Sequence, residues 1–209
     1  MTRALFGVFG YGSLVNLDTL KDAPLATASA RVFGWERRWL RRPPGSVQGP
    51  APGQRKTNAN PPDFAFLSAQ PTDRARWIDG RILIYPLEHM AALDRREALY
   101  DRVELQPDSV RWLDDAPLEH RAESLVIYAA RKAVMAQTQL ILRSYLDAVL
   151  QGYLRTFGQA GLTHFAQTTT PRTMTIFEDR NQPLYPRAIA LSKAERHAID
   201  ALWPPSAPA

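Results

Sequence analysis

The apolar positions of the chain fall into two patterns: short continuous runs and longer segments with helical spacing. The short runs are rich in β-branched and aromatic residues and stop at glycine, proline or charged residues, which is typical of buried strands. The runs predicted as strands are residues 4–9, 31–40 with a break or bulge at Gly34, 64–67, 79–85, 103–105 and 124–130. The short segments 175–177 and 188–191 are predicted to pair across a turn.

Segments with helical signals alternate with these runs. The predicted helices are a short one capped by Asn16 or Asp18 and ending at Leu20, one from Pro86 to about Ala98, one over residues 138–157 ended by Gly158 and Gly161, and a last one ending at Leu202. Ser192 and Glu195 form a capping box that predicts the start of the last helix. Strands interrupted by helices favour a single α+β (mixed α/β) domain over residues 1–203, with helices flanking a curved mixed sheet.

Two segments fit neither pattern. Residues 43–62 contain six prolines and three glycines, so we predict a long loop there. Long loops in compact domains are usually functional or disordered. The tail, residues 204–209, is predicted to be disordered because it is short, terminal and rich in proline.

The composition excludes several classes of protein. The absence of cysteine excludes a disulfide framework, a thiolate metal site, an iron–sulfur cluster and a cysteine nucleophile. The four histidines lie far apart and lack the spacing of metal ligands. No apolar run approaches the roughly 18 residues of a membrane-spanning helix, and no secretory signal is apparent. We therefore expect a cytoplasmic protein with no metal site and no membrane partner.

The chain is basic, with a formal net charge of +5 from 26 basic and 21 acidic residues. All but four of the basic residues are arginine, and they are scattered, with a local excess only over residues 31–56. This distribution favours a basic face that attracts a small anion over a nucleic-acid-binding stripe. A nucleic-acid-binding module remains the alternative, and Trp35, Trp39 and residues 37–42 are the segment where aromatic and basic residues interleave.

The first predicted strand ends in a glycine-rich turn, residues 10–16, with the sequence Gly-Tyr-Gly-Ser-Leu-Val-Asn. A strand that passes through such a turn into a helix leaves backbone N–H groups without partners, and these suit a carboxylate or another small anion. The turn lacks the motifs of a phosphate loop, a dinucleotide site or a nucleophile elbow. We expect Gly12 to allow close backbone approach and a positive φ. A plain tight turn is the alternative.

Glu97 is the candidate acid or base. On a helix that begins near Pro86, Met90, Leu93, Glu97 and Tyr100 fall on one stripe. A carboxylate on a core-facing stripe loses solvation, which raises its pKa toward the range useful for proton transfer. The alternatives are that the helix ends before residue 97, or that Glu97 pairs with a neighbouring arginine.

Together these residues resemble the γ-glutamylcyclotransferase-like superfamily, which includes the ChaC-like glutathione-degrading branch. Residues 9–14, Phe-Gly-Tyr-Gly-Ser-Leu, are similar to its turn signature, and residues 93–97 with Tyr100 and Arg102 resemble its second block. Tyr128 looks like a later strand tyrosine of the family, and residues 144–152 are similar to its long helix. The resemblance covers residues 5–160; the proline-rich loop and the C-terminal third depart from it.

The resemblance implies a barrel-like mixed sheet and a reaction in which the α-amine of a γ-glutamyl group attacks its own γ-carbonyl. The products are 5-oxoproline and an amine, amino acid or dipeptide, and no cofactor is needed because the nucleophile belongs to the substrate. Glu97 is then the general acid/base. The substrate-binding residues that the resemblance implies are Tyr11, Gly12, Ser13, Leu14, Val15, Asn16 and Tyr128.

The identity of the γ-glutamyl substrate stays open between a γ-glutamyl amino acid, glutathione and a γ-glutamylamine. Loop 43–62 is expected to cover the leaving group. A module that binds a small anion in the same pocket without turnover is the alternative outside the enzyme class, and the presence of Glu97 argues against it.

Overall fold

One mixed β-sheet organises the residues that the computed structural model describes, which are 4–41, 64–114, 122–131, 134–172 and 174–204. The predicted loop 43–62 and, apart from Pro204, the predicted tail lie outside these ranges. The strands in chain order are β1 (Leu5–Gly10), β2 (Ala26–Phe33), β3 (Trp35–Arg41), β4 (Ala65–Pro71), β5 (Trp77–Pro86), β6 (Tyr100–Glu104), β7 (Val110–Trp112), β8 (Ser124–Ala130), β9 (Ile141–Leu142), β10 (Thr169–Thr170) and β11 (Ile176–Phe177).

The order across the main sheet is β10-β3-β4-β8-β1-β5-β2-β7, with β6 also paired to β8. Strand β1 lies between β5, which runs antiparallel to it, and β8, which runs parallel to it. The turn after β1 therefore leaves from the middle of the sheet. The predicted α+β fold class, a mixed sheet with flanking helices, is confirmed.

Three α-helices accompany the sheet in the described residues: α1 (Met90–Arg96), α2 (Arg143–Gln167) and α3 (Lys193–Leu202). Gly158, with φ of 63°, interrupts α2 where the sequence predicts the end of that helix, and the helix then resumes. Ser192 and Glu195 form the predicted capping box at the start of α3. None of the described helices combines the length and the apolar character needed to cross a membrane.

Four short 3-10 helices complete the described elements, at Ser13–Val15, Leu17–Thr19, Leu87–His89 and Pro107–Ser109. The predicted break at Gly34 is confirmed: the run 31–40 covers the end of β2 and most of β3, which are separated at Gly34, whose φ of 79° breaks the extended backbone. The predicted pairing of 175–177 with 188–191 is wrong, because β11 pairs in parallel with β9 and residues 188–191 form no strand.

Both faces of the central strands are buried, which explains their uninterrupted apolar runs. On one face, Phe9, Ile82 and Ile127 belong to a core that includes residues of α2, whereas their neighbours in sequence belong to a second core. That second core contains Leu93 of α1. Helices α1 and α2 therefore pack on opposite faces, and each large aliphatic side chain that they bury stabilises the fold by about 1.5–3 kcal/mol.

Candidate active site

The turn after β1 presents backbone donors. The N–H of Val15 donates to the Gly12 carbonyl at 3.0 Å, and the N–H of Asn16 donates to the Ser13 carbonyl at 3.1 Å. These bonds form the first 3-10 helix, whose first amides have no partner within the helix. No hydrogen bond within the described residues uses the N–H of Ser13 or Leu14. Two adjacent amides of the turn therefore remain available to a ligand.

A buried arginine fixes this turn. Arg37 of β3 is fully buried, and its Nε donates to the Tyr11 carbonyl at 3.2 Å. Its other nitrogens donate to the Asp79 carbonyl at 2.5 Å, to the Thr168 hydroxyl at 2.6 Å and to the Tyr153 hydroxyl at 2.8 Å. The guanidinium thereby links the turn to β5 and α2, so the turn has a defined position rather than that of a loose loop.

Asn16 attaches the end of the turn to α2. Its buried side-chain amide donates to the Ala148 carbonyl at 2.9 Å and to the Gln151 side-chain oxygen at 2.8 Å. Val15 is buried in the core beside it. Both residues lie outside the cavity lining and their N–H groups are occupied within the turn. Of the predicted substrate-binding residues, Tyr11–Leu14 and Tyr128 therefore line the cavity, whereas Val15 and Asn16 do not.

Gly12 lies outside the left-handed region of backbone conformation. Its φ is −126°, so the expected positive φ is wrong. Other groups do approach Gly12 closely, but they are side chains of the protein. A Cβ at this position would lie 3.3 Å from the Tyr145 hydroxyl and 3.4 Å from Leu67 Cδ2. The glycine therefore matters through the space that it leaves between the turn and the cavity wall.

A cavity of about 300 Å³ opens beside the turn. Its volume is at the lower end of the range for small-molecule sites. Seven parts of the chain contribute to it: β1, the turn after it, β4, the stretch from the end of α1 to the start of β6, β8, α2 and the segment before α3. The polar and charged residues in its lining are Tyr11, Ser13, Arg95, Arg96, Glu97, Tyr100, Tyr128, Tyr145 and Arg187.

Glu97 lines this cavity, but not as the sequence analysis expected. Helix α1 ends at Arg96, and Glu97 leaves the helical conformation with φ of −98° and ψ of 34°. Its N–H donates to the Leu93 carbonyl, and its own carbonyl accepts from the Tyr100 N–H, each at 2.8 Å. The predicted helical stripe through Glu97 and Tyr100 is therefore wrong. The carboxylate lines the cavity because a tight turn places it there.

The environment of Glu97 favours its protonated form. The side chain is 15% exposed, and this burial raises its pKa above the ordinary value of 4.5, while the positive charges of Arg96 and Arg187 oppose the shift. Arg96 Nε lies 3.1 Å from Glu97 Oε1, but without the alignment of a hydrogen bond. The alternative that Glu97 pairs with a neighbouring arginine is therefore confirmed for Arg96, whereas Arg102 pairs with Asp94 at 2.5 Å. Glu97 is thus a carboxyl group poised to gain or lose a proton beside the cavity.

Four tyrosines line the cavity with Glu97, and three of them, Tyr11, Tyr128 and Tyr145, have phenols whose pKa is raised. The Tyr128 hydroxyl donates to Asp94 Oδ1 at 2.7 Å, so its remaining lone pair can accept a hydrogen bond from a ligand. The Tyr11 hydroxyl donates to the Tyr128 carbonyl at 2.5 Å. Tyr145 packs edge-on against Trp39. Burial raises the pKa of all three phenols, which therefore stay protonated.

Sequence reasoning gave no site role to Tyr145, Arg96 or Arg187. A tyrosine on the buried stripe of α2 is a detectable signal, since its hydroxyl needs a polar surrounding. Arg187 lies in an irregular segment, where its Nε donates to the Tyr185 hydroxyl at 3.0 Å. No periodicity connects that segment with the turn after β1. No group of three or more His, Asp or Glu side chains in the described residues could hold a metal ion.

Comparison with known proteins identifies the fold. No family model and no curated protein matches the sequence. Among solved structures, the chain is similar to a gamma-glutamyl cyclotransferase at 11% identity, with a TM-score of 0.52 and coverage of 94% of this chain and 99% of that one. It is also similar to the human uncharacterized protein loc79017, at 12% identity, a TM-score of 0.51, and coverage of 94% and 98%. The resemblance stated from the sequence is thus confirmed for the fold: this chain has the gamma-glutamyl cyclotransferase fold.

Proposed function

We propose that the protein is a γ-glutamylcyclotransferase-type enzyme, which releases 5-oxoproline from a γ-glutamyl compound. The observation that carries the proposal is the placement of the buried Glu97 carboxyl and the available amides of Ser13 and Leu14 around one cavity. The shared fold supports it. In the reaction the substrate α-nitrogen bonds to its own γ-carbonyl carbon, the amide C–N bond breaks, and the released nitrogen gains a proton.

Binding orients the substrate. The N–H groups of Ser13 and Leu14 bind its α-carboxylate, since two adjacent amides suit the two oxygens of a carboxylate. Holding the γ-glutamyl chain bent places the amine near the γ-carbonyl and removes much of the entropic part of the barrier. The link between Arg37 and the Tyr11 carbonyl keeps the turn rigid during this step.

Glu97 carries the proton. Its ionised carboxylate takes a proton from the substrate α-ammonium and, once protonated, gives it to the leaving nitrogen, so one carboxyl group performs both transfers. After the attack the ring nitrogen loses its second proton, and the released amine takes it up and leaves as an ammonium ion. The raised pKa of Glu97 makes its carboxylate a stronger base than that of an exposed glutamate, which favours the first transfer. The Tyr128 hydroxyl accepts a hydrogen bond from the substrate nitrogen and thereby orients it.

A panel of γ-glutamyl compounds tests this proposal. We expect at least one γ-glutamyl amino acid, γ-glutamyl peptide or γ-glutamylamine to yield 5-oxoproline and its free amine in equal amounts, detected by mass spectrometry. The matched α-glutamyl isomers serve as the control, because their scissile carbonyl is not the one that the amine can reach in a five-membered ring. Binding of the γ-glutamyl compounds without any 5-oxoproline would favour the non-catalytic anion-binding alternative.

The pH dependence of turnover gives a second test. Because burial raises the pKa of Glu97, the acid limb of kcat/KM is expected to lie above pH 4.5. Because the pKa of Glu97 is higher in the folded state than in the unfolded state, folding favours the protonated carboxyl. The contribution of this group to the free energy of unfolding is complete below pH 4.5 and is lost as the pH rises through the raised folded-state pKa.

The free energy of unfolding of the wild type should therefore fall with rising pH relative to that of Glu97→Gln. Urea titrations of both proteins across this range measure the difference. A difference that stays constant with pH, together with an acid limb at or below pH 4.5, would show that burial does not raise the pKa of Glu97.

A further inference from the structure

A second cavity adjoins the one that Glu97 lines. It has a volume of about 250 Å³, and Arg96 and Arg187 line both cavities. Its other walls include Lys21 and the aromatic rings of Tyr85 and His89, which stack with ring centroids 6.1 Å apart. Arg96 and Arg187 thus lie between two cavities. The first contains the proposed reaction centre, and the proposed function assigns no role to the second.

Buried polar atoms in the second cavity lack partners. Nε and Nη2 of Arg96 and Nδ1 of His89 are buried and have no hydrogen-bond partner among the described residues. Leaving such a group unsatisfied costs about 1–3 kcal/mol, and more when it is charged. Water can bond to these atoms but does not offset a positive charge, and Glu97, whose Oε1 lies 3.1 Å from Arg96 Nε, offsets the charge of Arg96 only while it is ionised. The arrangement therefore fits a ligand that accepts hydrogen bonds and carries negative charge.

The charge balance indicates the same kind of ligand. Lys21, Arg96 and Arg187 are cationic, whereas Asp22 is the one acidic residue in the lining. Asp22 is exposed, and its contact with Tyr85 is made by its backbone carbonyl, 3.3 Å from the phenol oxygen. Arg96 and Arg187 share a wall and repel each other. Glu97, which pairs with Arg96, offsets part of this repulsion, and an anion in the second cavity offsets more of it.

We propose that the second cavity binds the carboxylate of the leaving group, so that the substrates are γ-glutamyl amino acids or γ-glutamyl peptides rather than γ-glutamylamines. This inference rests on the proposed function. In a γ-glutamyl amino acid, the carboxylate of the leaving group is attached to the carbon next to the scissile nitrogen. A substrate whose γ-carbonyl faces Glu97 extends its leaving group past Arg96 and Arg187 into the second cavity.

A matched substrate pair tests the inference. In γ-glutamyl-alanine amide, a neutral carboxamide of nearly the same shape replaces the carboxylate of γ-glutamyl-alanine. We expect kcat/KM for 5-oxoproline release to be at least about tenfold higher with the carboxylate, mainly through KM, since a charge-assisted hydrogen bond is lost with the amide. γ-Glutamyl-ethylamine, which lacks both groups, is expected to be no better than the amide.

Variants assign the preference to this cavity. His89 and Lys21 line the second cavity but not the first. His89→Phe keeps an aromatic ring against Tyr85 and removes Nδ1, and Lys21→Gln removes an exposed charge. We expect each to reduce the ratio of kcat/KM between γ-glutamyl-alanine and its amide by about threefold or more. The matched controls His197→Phe and Lys193→Gln, both exposed on α3, should leave the ratio unchanged.

The outcomes separate the two proposals. Release of 5-oxoproline at equal efficiency from the acid and the amide, or a preference for γ-glutamyl-ethylamine, would overturn the second cavity as a carboxylate site and leave the proposed function standing. A preference for the acid that survives both His89→Phe and Lys21→Gln would also overturn it. Release from no member of the panel would overturn the proposed function, and this inference with it.

Discussion

Replacing Glu97 by glutamine is expected to lower the turnover of 5-oxoproline release by roughly 10²–10⁴-fold, the usual contribution of a positioned acid or base. Glutamine has almost the same shape but cannot accept the proton of the α-ammonium or return it to the leaving nitrogen. Because its amide still fills the cavity wall, KM should change much less than kcat. Steady-state kinetics on the best substrate of the γ-glutamyl panel measure both.

Glu104→Gln is the matched control for this prediction. Glu104 is an exposed residue on β6, outside the first cavity, and the substitution changes the net charge by the same amount. We expect it to retain wild-type turnover. Both variants should melt near the wild-type temperature, since Glu97→Gln removes a buried carboxyl whose ionised form is destabilised by burial. Near-wild-type turnover of a folded Glu97→Gln protein would exclude Glu97 as the proton carrier.

The strands and the turn after β1 could be predicted because their signals are local. Residues 5–10 form an apolar run buried on both faces, and the run stops at a glycine-rich turn, so a window of a few residues contains the information. The capping box at Ser192 and Glu195 is local for the same reason. Such features depend on backbone conformation and on neighbours within one helical turn, which the sequence displays directly.

Glu97 shows a prediction whose structural premise was wrong. A helical stripe that includes Tyr100 predicts its burial, but the helix ends at Arg96. Its burial comes from a tight turn that places the side chain in the wall of the cavity that the turn after β1 and Arg187 also line. Periodicity specifies the end of a helix poorly, because apolar residues beyond the last helical residue can still follow the helical spacing.

The rest of the site could not be predicted because it depends on contacts between distant segments. Tyr145 from α2, Arg187 from the segment before α3 and Phe66 from β4 meet the turn only through the packing of the whole sheet. Asn16 illustrates the converse. Its type and position suggested a ligand contact, but its amide is used to attach the turn to α2 at Ala148. Local pattern identifies polar candidates, and tertiary packing decides which of them reach the cavity.

Arg37 supplies the largest expected effect on stability. Arg37→Met is expected to lower the free energy of unfolding by about 2–4 kcal/mol, because it leaves buried carbonyls without donors. The Tyr153 hydroxyl lies 2.9 Å from the Tyr11 carbonyl and 2.8 Å from that of Asp79, but it has a single proton. At least one of these two carbonyls therefore loses its hydrogen bond. Methionine retains part of the packing against Tyr153 and Phe165, whose rings lie 4.9 Å from the guanidinium carbon.

Urea denaturation measures this loss, and Arg111→Met is its control, since Arg111 is exposed on β7 and should change stability by less than about 0.5 kcal/mol. Arg37→Lys should restore little of the lost free energy of unfolding, because one ammonium cannot reach acceptors on the turn, β5 and α2 together.

Since the Tyr11 carbonyl loses the hydrogen bond from Arg37, KM for the γ-glutamyl substrate should also rise in Arg37→Met at temperatures where the variant is folded. A loss of stability equal to that of Arg111→Met would contradict the role of Arg37, whereas a stability loss with unchanged KM would show that the turn keeps its position without this arginine.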